Sequence, residues 1–378
     1  MSEAKSNTST IVLPKVKDGL ENKGVLHFTL ENANVSVANA IRRTILSNID
    51  TVILDTDKNI NIQKNTTRLH NEILKQRLGC LPVHIKDFSD IQNLTIELHK
   101  VNDTDSLVYI TTHDFKIKNT LTNKYLTPEQ TQLIFPINNI TKQYILVSRL
   151  RPKISNDIPG EILTFNTKLT LGNAKQNGMY NVASTCAYGN TPDKVEQHNQ
   201  WQDIAQELEK NGLSEKQIEY KKQNWETLQG KRFYLSNSFD FKLESVGVFT
   251  NYEIIHKALD ILIQKFDTIS ELSDKESINI NRKSTAMIHS LDITLQNEDY
   301  TIGKVIEYIL HEQYYKNDKI LSYVGFIKKH PHDDFSIIRI AFNETEDMDI
   351  YSDSNVYKML KFSCKIAKNL FTNIKEYF

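Results

Sequence analysis

Val35-Ser36-Val37-Ala38-Asn39-Ala40-Ile41-Arg42-Arg43-Thr44-Ile45-Leu46 is the stretch on which the fold turns. Val35, Ala38, Ile41 and Ile45 recur at spacings of three and four, one apolar stripe of an amphipathic helix. Arg42 and Arg43 are adjacent and stand about 100° apart around that helix, so at least one of them points away from the stripe. Upstream, residues 24–30 alternate roughly and predict a strand, and Asn32 to Asn34 is turn-like. Downstream, residues 51–55 form a β-branched strand candidate. Residues 69–78 predict a short helix, stopped by Gly79 and followed by Pro82, which cannot continue it.

Further along, residues 94–98, 107–111, 144–149 and 162–171 are short strand candidates between polar turns. Residues 192–229 change character: they are charged, Gln-rich and helically spaced, and they hold Trp201 and Trp225. A helical hairpin around Asn211-Gly212 fits them, since Gly suits a helix C-terminus, and so does a solvated surface insertion. Residues 239–243 alternate as a strand. Residues 252–266 predict a helix with Ile255, Leu259, Leu262 and Phe266 on one face. The polar, acidic residues from 267 to 284 suit a linker, placed at 269–284.

A second set follows: a strand at 289–295, a helix at 301–315, a strand at 335–342 and a helix at 354–377. Ile302, Val305, Ile306 and Ile309 line the first of these helices; Leu360, Ala367 and Phe371 line the second. The order strand, amphipathic helix, strand, long terminal helix thus occurs twice. A β-rich insertion of more than 100 residues interrupts the first occurrence. Alone, each set would expose a long apolar helix face, and such faces mark interfaces. Packed together, the two sets bury both. The expectation is an α+β chain whose two units pair within one polypeptide. The interface would draw on Val35, Ala38, Ile41 and Ile45, the four residues of 252–266, and the helix faces of the second set.

Composition narrows the function. The formal net charge is 46 − 47 = −1, so the chain has no global basic footprint for nucleic acid. No run of 18 apolar residues predicts a membrane span. The polar Met1 to Thr10 lacks the apolar stretch of a signal peptide. Cys80, Cys186 and Cys364 are odd in number and far apart. That pattern argues for a reducing compartment and against a disulfide framework. It also excludes a four-cysteine zinc or iron–sulfur site within the chain.

Several segments carry a resemblance. Residues 30–46, which contain the opening helix, resemble the signature of the alpha-like RNA polymerase family, which includes the bacterial alpha subunit and subunit 3 of eukaryotic RNA polymerase II. Asn65-Thr66-Thr67-Arg68-Leu69-His70-Asn71-Glu72-Ile73-Leu74-Lys75-Gln76-Arg77-Leu78-Gly79-Cys80-Leu81-Pro82-Val83 looks like the subunit 3 motif that follows. Residues 171–183 and 239–247 resemble that subunit's later loop and return strand. Glu298-Asp299-Tyr300-Thr301-Ile302-Gly303-Lys304-Val305-Ile306 and Tyr323-Val324-Gly325-Phe326-Ile327-Lys328-Lys329-His330-Pro331 look like parts of subunit 11. Together the matches touch most of residues 24–378. The fusion is similar to polymerases of large cytoplasmic DNA viruses, which implies a virion and host-cytoplasm location; a cellular source would imply the nucleus.

The resemblance implies a non-catalytic assembly platform. Residues 24–55 with 231–268 would form the subunit 3-like dimerisation domain, and 56–230 the insert. Residues 285–378 would form the subunit 11-like domain, and 1–23 a disordered tail. Partners would be the largest and second-largest polymerase subunits and a small subunit of the platform, with DNA reached only through the assembled complex and no membrane involved. Docking of the second-largest subunit would use Arg42, Arg43, His70, Glu72, Arg77, Leu78 and Gly79. Guanidinium groups suit that task because they bond carboxylates bidentately and are weakly hydrated. Many subunit 3 relatives bind zinc, and some archaeal ones an iron–sulfur cluster, through cysteines that are missing here. No metal and no cofactor are therefore expected.

Two rival functions stay open. His330-Pro331-His332-Asp333-Asp334 has metal-ligand residue types and would serve a metal-dependent enzyme. A free-standing nucleic-acid-binding protein would need interleaved basic and aromatic residues, which the sequence does not offer.

Overall fold

In the computed structural model, which describes residues 11–155, 157–282, 287–344 and 348–378, the first element is a hairpin of β1 (Lys15–Asn22) and β2 (Val25–Glu31). Lys23 and Gly24 join them with φ of 51° and 81°, the mirror-image turn whose twist suits a hairpin. The disordered tail expected over 1–23 is thus corrected. Residues 15–22 pair through their backbone, which needs no apolar side chain, while residues 1–10 lie outside the described residues.

Then come α1 (Val35–Ser47), β3 (Thr51–Leu54), β4 (Asn61–Asn65), α2 (Asn71–Gly79), β5 (Leu94–Val101) and β6 (Val108–Thr111). β7 (Lys116–Asn119), β8 (Lys124–Tyr125), α3 (Pro128–Ile134), β9 (Leu146–Leu150) and β10 (Ile162–Gly172) follow. Next are β11 (Ala183–Pro192), α4 (Lys194–Lys210), α5 (Glu215–Thr227), β12 (Tyr234–Ser245) and α6 (Asn251–Asp274). The remainder is β13 (Asn279–Asn281), β14 (Ser290–Gln296), α7 (Tyr300–Leu310), β15 (Leu321–Ile327), β16 (Phe335–Phe342) and α8 (Asp353–Lys375). Helices and sheets are mixed in the α+β manner.

The chain forms two compact units. The first combines Met1–Ile45, Thr185–Glu244 and Ile255–Phe378; the second combines Leu46–Ser184 and Ser245–Ile254. The helical pair α4–α5 therefore belongs to the first unit, where the sequence placed it within an insert over 56–230.

The first unit holds two sheets, ordered β1-β2-β12-β11 and β13-β14-β16-β15. In the first sheet Leu26, Phe28 and Leu30 face Leu243, Phe241 and Phe239 across the ladder, and all six are buried. The period-2 alternation of both strands sends these side chains to one face. Phe28 and Phe241 stack at 4.8 Å. In the second sheet Leu291 and Ile293 sit opposite Ile340 and Ile338. Each fully buried Leu, Ile or Phe contributes about 1.5–3 kcal/mol relative to exposure.

Of the residues assigned to the helix faces, Ala38, Ile41, Ile45, Ile255, Leu259, Leu262 and Phe266 are buried, as are Ile302, Val305, Ile306, Ile309, Leu360, Ala367 and Phe371. Val35 is the exception, at 52% exposure. It is the first residue of α1, and Val37 takes the inward position, so the stripe runs through 37, 38, 41, 44 and 45. The linker expected at 269–284 is also corrected: α6 continues to Asp274 because Ile269 and Ser273 stay buried on its inner face. Residues 283–286 lie outside the described residues.

α6 and α8 meet along their lengths. The rings of Phe266 and Phe371 lie 5.8 Å apart and 19° from parallel. Lys361 pairs with Asp274 at 2.6 Å, Lys368 with Asp267, and Lys375 with Asp260. Each step of seven residues forward along α6 matches a step of seven backward along α8, so the helices run antiparallel. Seven residues are close to two helical turns, which keeps each charge on one side.

In the second unit β10 is the central strand of the order β3-β10-β5-β7-β8, and β4 also pairs with it. Leu74 and Leu78 of α2 pack into the core with Leu98, Ile110, Phe115 and Phe165. β6 and β9 form a separate two-stranded ribbon.

A Cβ built on Gly303 of α7 would stand 1.9 Å from the Phe326 ring of β15, so the helix approaches the strand through this residue. Gly303→Ala gains about 1 kcal/mol of helix propensity. We expect overpacking, at roughly 1–3 kcal/mol, to outweigh it. Chemical denaturation measures the balance; a variant of raised stability would mean that Phe326 swings aside freely.

Candidate functional site

α1 leaves Asn34, whose Oδ1 accepts the Ser36 N–H at 2.9 Å, and buries its inner stripe. Arg42 and Arg43 are left on the flank, half-buried. Arg43 Nε donates to Thr301 Oγ1 at 2.8 Å, and its Nη2 donates to Asp299 Oδ2 at 3.0 Å. Asp299 is the N-cap of α7, and its Oδ1 accepts the Thr301 N–H at 2.8 Å. One carboxylate therefore caps a helix with one oxygen and holds a guanidinium with the other. The pair is about one-third exposed, so solvent screens much of its strength. Its geometry nevertheless ties α1 to the start of α7. Lys265 of α6 similarly holds Glu298, the residue before that cap, at 2.8 Å.

Arg42 turns back on its own helix. Its Nε and Nη2 donate to Asn39 Oδ1 at 3.1 and 2.9 Å. Nearby Cys186 is buried, and burial pushes its thiol up to about 12 against the smaller pull of Arg42. Burial likewise raises Cys364, in α8, to about 12. Neither thiol forms a thiolate near neutrality, so neither suits nucleophilic work.

Residues 70–79 belong to the second unit. His70 Nδ1 lies 2.7 Å from Glu72 Oε2, and both side chains are exposed. A backbone hydrogen bond at the helix start and His70 hold the Glu72 carboxyl below its ordinary range. Arg77 reaches β9: its Nε donates to the Val147 carbonyl at 3.0 Å and its Nη2 to the Leu146 carbonyl at 2.8 Å. Leu78 is fully buried, one helical turn after Leu74 on the same face. Gly79 is buried too, and a Cβ there would stand 2.2 Å from Met179 Sδ. Of the docking set read from the sequence, Leu78 and Gly79 are buried and are corrected to core positions. Half-buried Arg42 and Arg43 and exposed His70, Glu72 and Arg77 stand at the surface, Arg43 and Arg77 also bonding within their own units.

The 330–334 segment is a closed turn. Asp333 Oδ2 accepts the His330 N–H at 3.0 Å, and His330 Nδ1 accepts the His332 N–H at 3.1 Å. Among the described residues no group of three His, Cys, Asp or Glu is placed to hold a metal ion. Asp299, Lys265, Glu298 and the three Asp–Lys pairs of α6 and α8 are the contacts that sequence reasoning missed. The seven-residue spacing of Asp260, Asp267 and Asp274, repeated by Lys361, Lys368 and Lys375, is a signal that could have found the last of these.

A family model described as the RNA polymerase Rpb3/Rpb11 dimerisation domain matches residues 27–266, more than half of the 378. The match runs from β2 into α6. The DNA-directed RNA polymerase subunit Rpo3 of Pyrococcus horikoshii is 25% identical over 283 residues, which cover 69% of this chain and 96% of that protein. The DNA-directed RNA polymerase II subunit RPB3 of Schizosaccharomyces pombe is 31% identical over 83 residues, 22% of this chain and 27% of its own. A conjugation stage-specific protein of Tetrahymena thermophila is 30% identical over 103 residues, covering 24% of this chain and 32% of that protein.

Arg77→Ala removes both donors from the β9 carbonyls. Hydrogen bonds to charged groups contribute about 1.5–3 kcal/mol each, less where exposed. The expected result is a loss of roughly 1–3 kcal/mol together with faster amide exchange in 146–150. Unchanged exchange in that strand would show that Arg77 only rests on β9.

Proposed function

We propose, because the chain belongs to the RNA polymerase Rpb3/Rpb11 dimerisation family, that it is a non-catalytic assembly subunit of a DNA-directed RNA polymerase which carries both partners of the family's dimer in one polypeptide. The subunit 3-like partner is built around β2, α1, β12 and α6. The subunit 11-like partner is built around β14, α7, β16 and α8. The observation that carries this reading is the antiparallel register of α6 against α8, with a buried aromatic stack and three ion pairs at seven-residue steps. The Arg43 clasp on the cap of α7 supports it with a second contact between the two modules.

Fusion makes the pairing intramolecular, with an effective concentration of about millimolar for a flexible connection. Assembly then no longer depends on matched supply of two chains. In this reading the chain docks the largest and second-largest subunits, the second-largest through Arg42 and Arg43 of the first unit and His70, Glu72 and Arg77 of the second, and a small platform subunit joins them. DNA is met only through the assembled enzyme. The joined arrangement is similar to polymerases of large cytoplasmic DNA viruses, which suits a virion and host-cytoplasm location.

Native affinity purification of the tagged chain from its source cells tests the role. Two very large polymerase subunits at about equal stoichiometry are expected; recovery of the chain alone in mild salt would refute it. The pairing has its own test. Exposed ion pairs are worth about 0.2–1 kcal/mol each, so replacing Asp260, Asp267 and Asp274 by Lys, which also adds repulsion, should cost roughly 1–3 kcal/mol in thermal denaturation. Exchanging Lys361, Lys368 and Lys375 for Asp in the same chain should restore most of it. Absence of rescue would mean that the charges do not face one another in solution.

A further inference from the structure

One surface of the second unit carries two guanidinium groups that no carboxylate among the described residues answers. Arg68, Arg77, Arg149 and Arg151 surround a groove of about 430 Å³ that has no acidic residue in its lining. Its floor is aliphatic, with Leu69, Leu107 and Val147. Leu107 is 50% exposed, an apolar side chain left in water beside the arginines.

The four guanidinium groups are not equivalent. Arg77 is fixed by the two β9 carbonyls, and Arg151 by Glu161, with Nε 2.5 Å from Oε1. Arg68 makes no hydrogen bond or ion pair among the described residues. Arg149 makes none either; it lies over the Tyr109 ring, 5.4 Å from its centre. Two anchored cations therefore shape the groove, and two uncommitted ones flank it. Glu161 neutralises Arg151, but Arg68, Arg77 and Arg149 still repel one another around the hollow, and an anion seated among them would relieve it.

The chemistry of the anion follows from the floor. Carboxylates match the planar fork of arginine, and the leucines ask for an apolar side chain between them. A nucleic-acid strand would satisfy the arginines through its phosphates but leave the aliphatic floor wet. It would also call for a basic track with free stacking platforms, whereas Tyr109 is already covered by Arg149.

We infer that this groove docks an acidic segment of a protein partner, one that seats a leucine-like side chain on the floor while flanking carboxylates engage Arg68 and Arg149. The assignment of that partner to the polymerase assembly rests on the function proposed above; the groove's chemistry stands without it.

The test uses the full chain and fluorescence anisotropy with three probes. These are a short synthetic peptide with leucines flanked by glutamates, its analogue with serine for leucine, and a single-stranded DNA oligonucleotide of equal charge. The leucine peptide should bind, and about tenfold more weakly both to an Arg68→Glu/Arg149→Glu variant and with serine in place of leucine. Because neither arginine has an ion pair to lose, the variant should keep the parent's thermal midpoint; Arg68→Gln/Arg149→Gln is the milder substitute if it does not. Equal binding to parent and variant overturns the inference. So does equal binding of the serine peptide, or a preference for the oligonucleotide that the variant abolishes, which would make the groove a phosphate site. Purification of the parent chain separates the two proposals. Large subunits recovered without peptide binding remove the groove alone, and peptide binding without large subunits removes the polymerase role alone.

Discussion

A long helix with one apolar face has to be covered, and in the first unit α6 and α8 cover each other. The two sheets of that unit bury side chains of their own, Phe28 and Phe241 in one and Ile338 and Ile340 in the other. α1 and α7 add their own inner stripes. The ion pairs along α6 and α8 lie at the rim, so they fix register more than they add stability. The stability comes from the aliphatic and aromatic groups between them.

Arginine has two uses in this chain. Arg43 and Arg77 are internal fasteners, one on a helix cap and one on two strand carbonyls. Arg77 covers hydrogen-bonding groups at the side of a two-stranded ribbon, and such a ribbon is only marginally stable alone. Arg68 and Arg149 face outward with no internal carboxylate. The same side chain thus closes the structure in one place and leaves it open to a partner in another.

Much of this was legible in the sequence. The stripes of α1, α6, α7 and α8 are periodic over three or more turns, which is why Ala38, Ile41, Leu259, Leu262, Val305 and Ile306 could be named as inward-facing. β2 and β12 alternate clearly. β1, β11 and β13 escape sequence reading as strands, because they lie at sheet edges and carry mostly polar side chains, and the two buried residues of β11, Ala183 and Cys186, do not alternate. The division into units was harder still, since it depends on contacts far apart in the chain. The internal contacts of Arg43, Arg77 and Gly79 escape sequence reading for a related reason: they are made with Asp299, two carbonyls of β9 and Met179, none of them nearby in sequence. Val35 was misplaced by one register choice at the start of a helix, where periodicity is weakest.

The ring of Phe378 sits edge-on to Phe28, 5.0 Å away. That contact joins β2 to a residue which a ribosome adds 350 positions later. The second unit can close once residue 254 has emerged, whereas Phe28 of β2 waits for Phe378, just past the end of α8. Vectorial synthesis therefore imposes an order: the later-numbered unit matures first, and the apolar strand made earliest is the last to be sealed. During that interval it needs shelter, and any nascent chain halted before α8 exposes a sticky, protease-sensitive sheet.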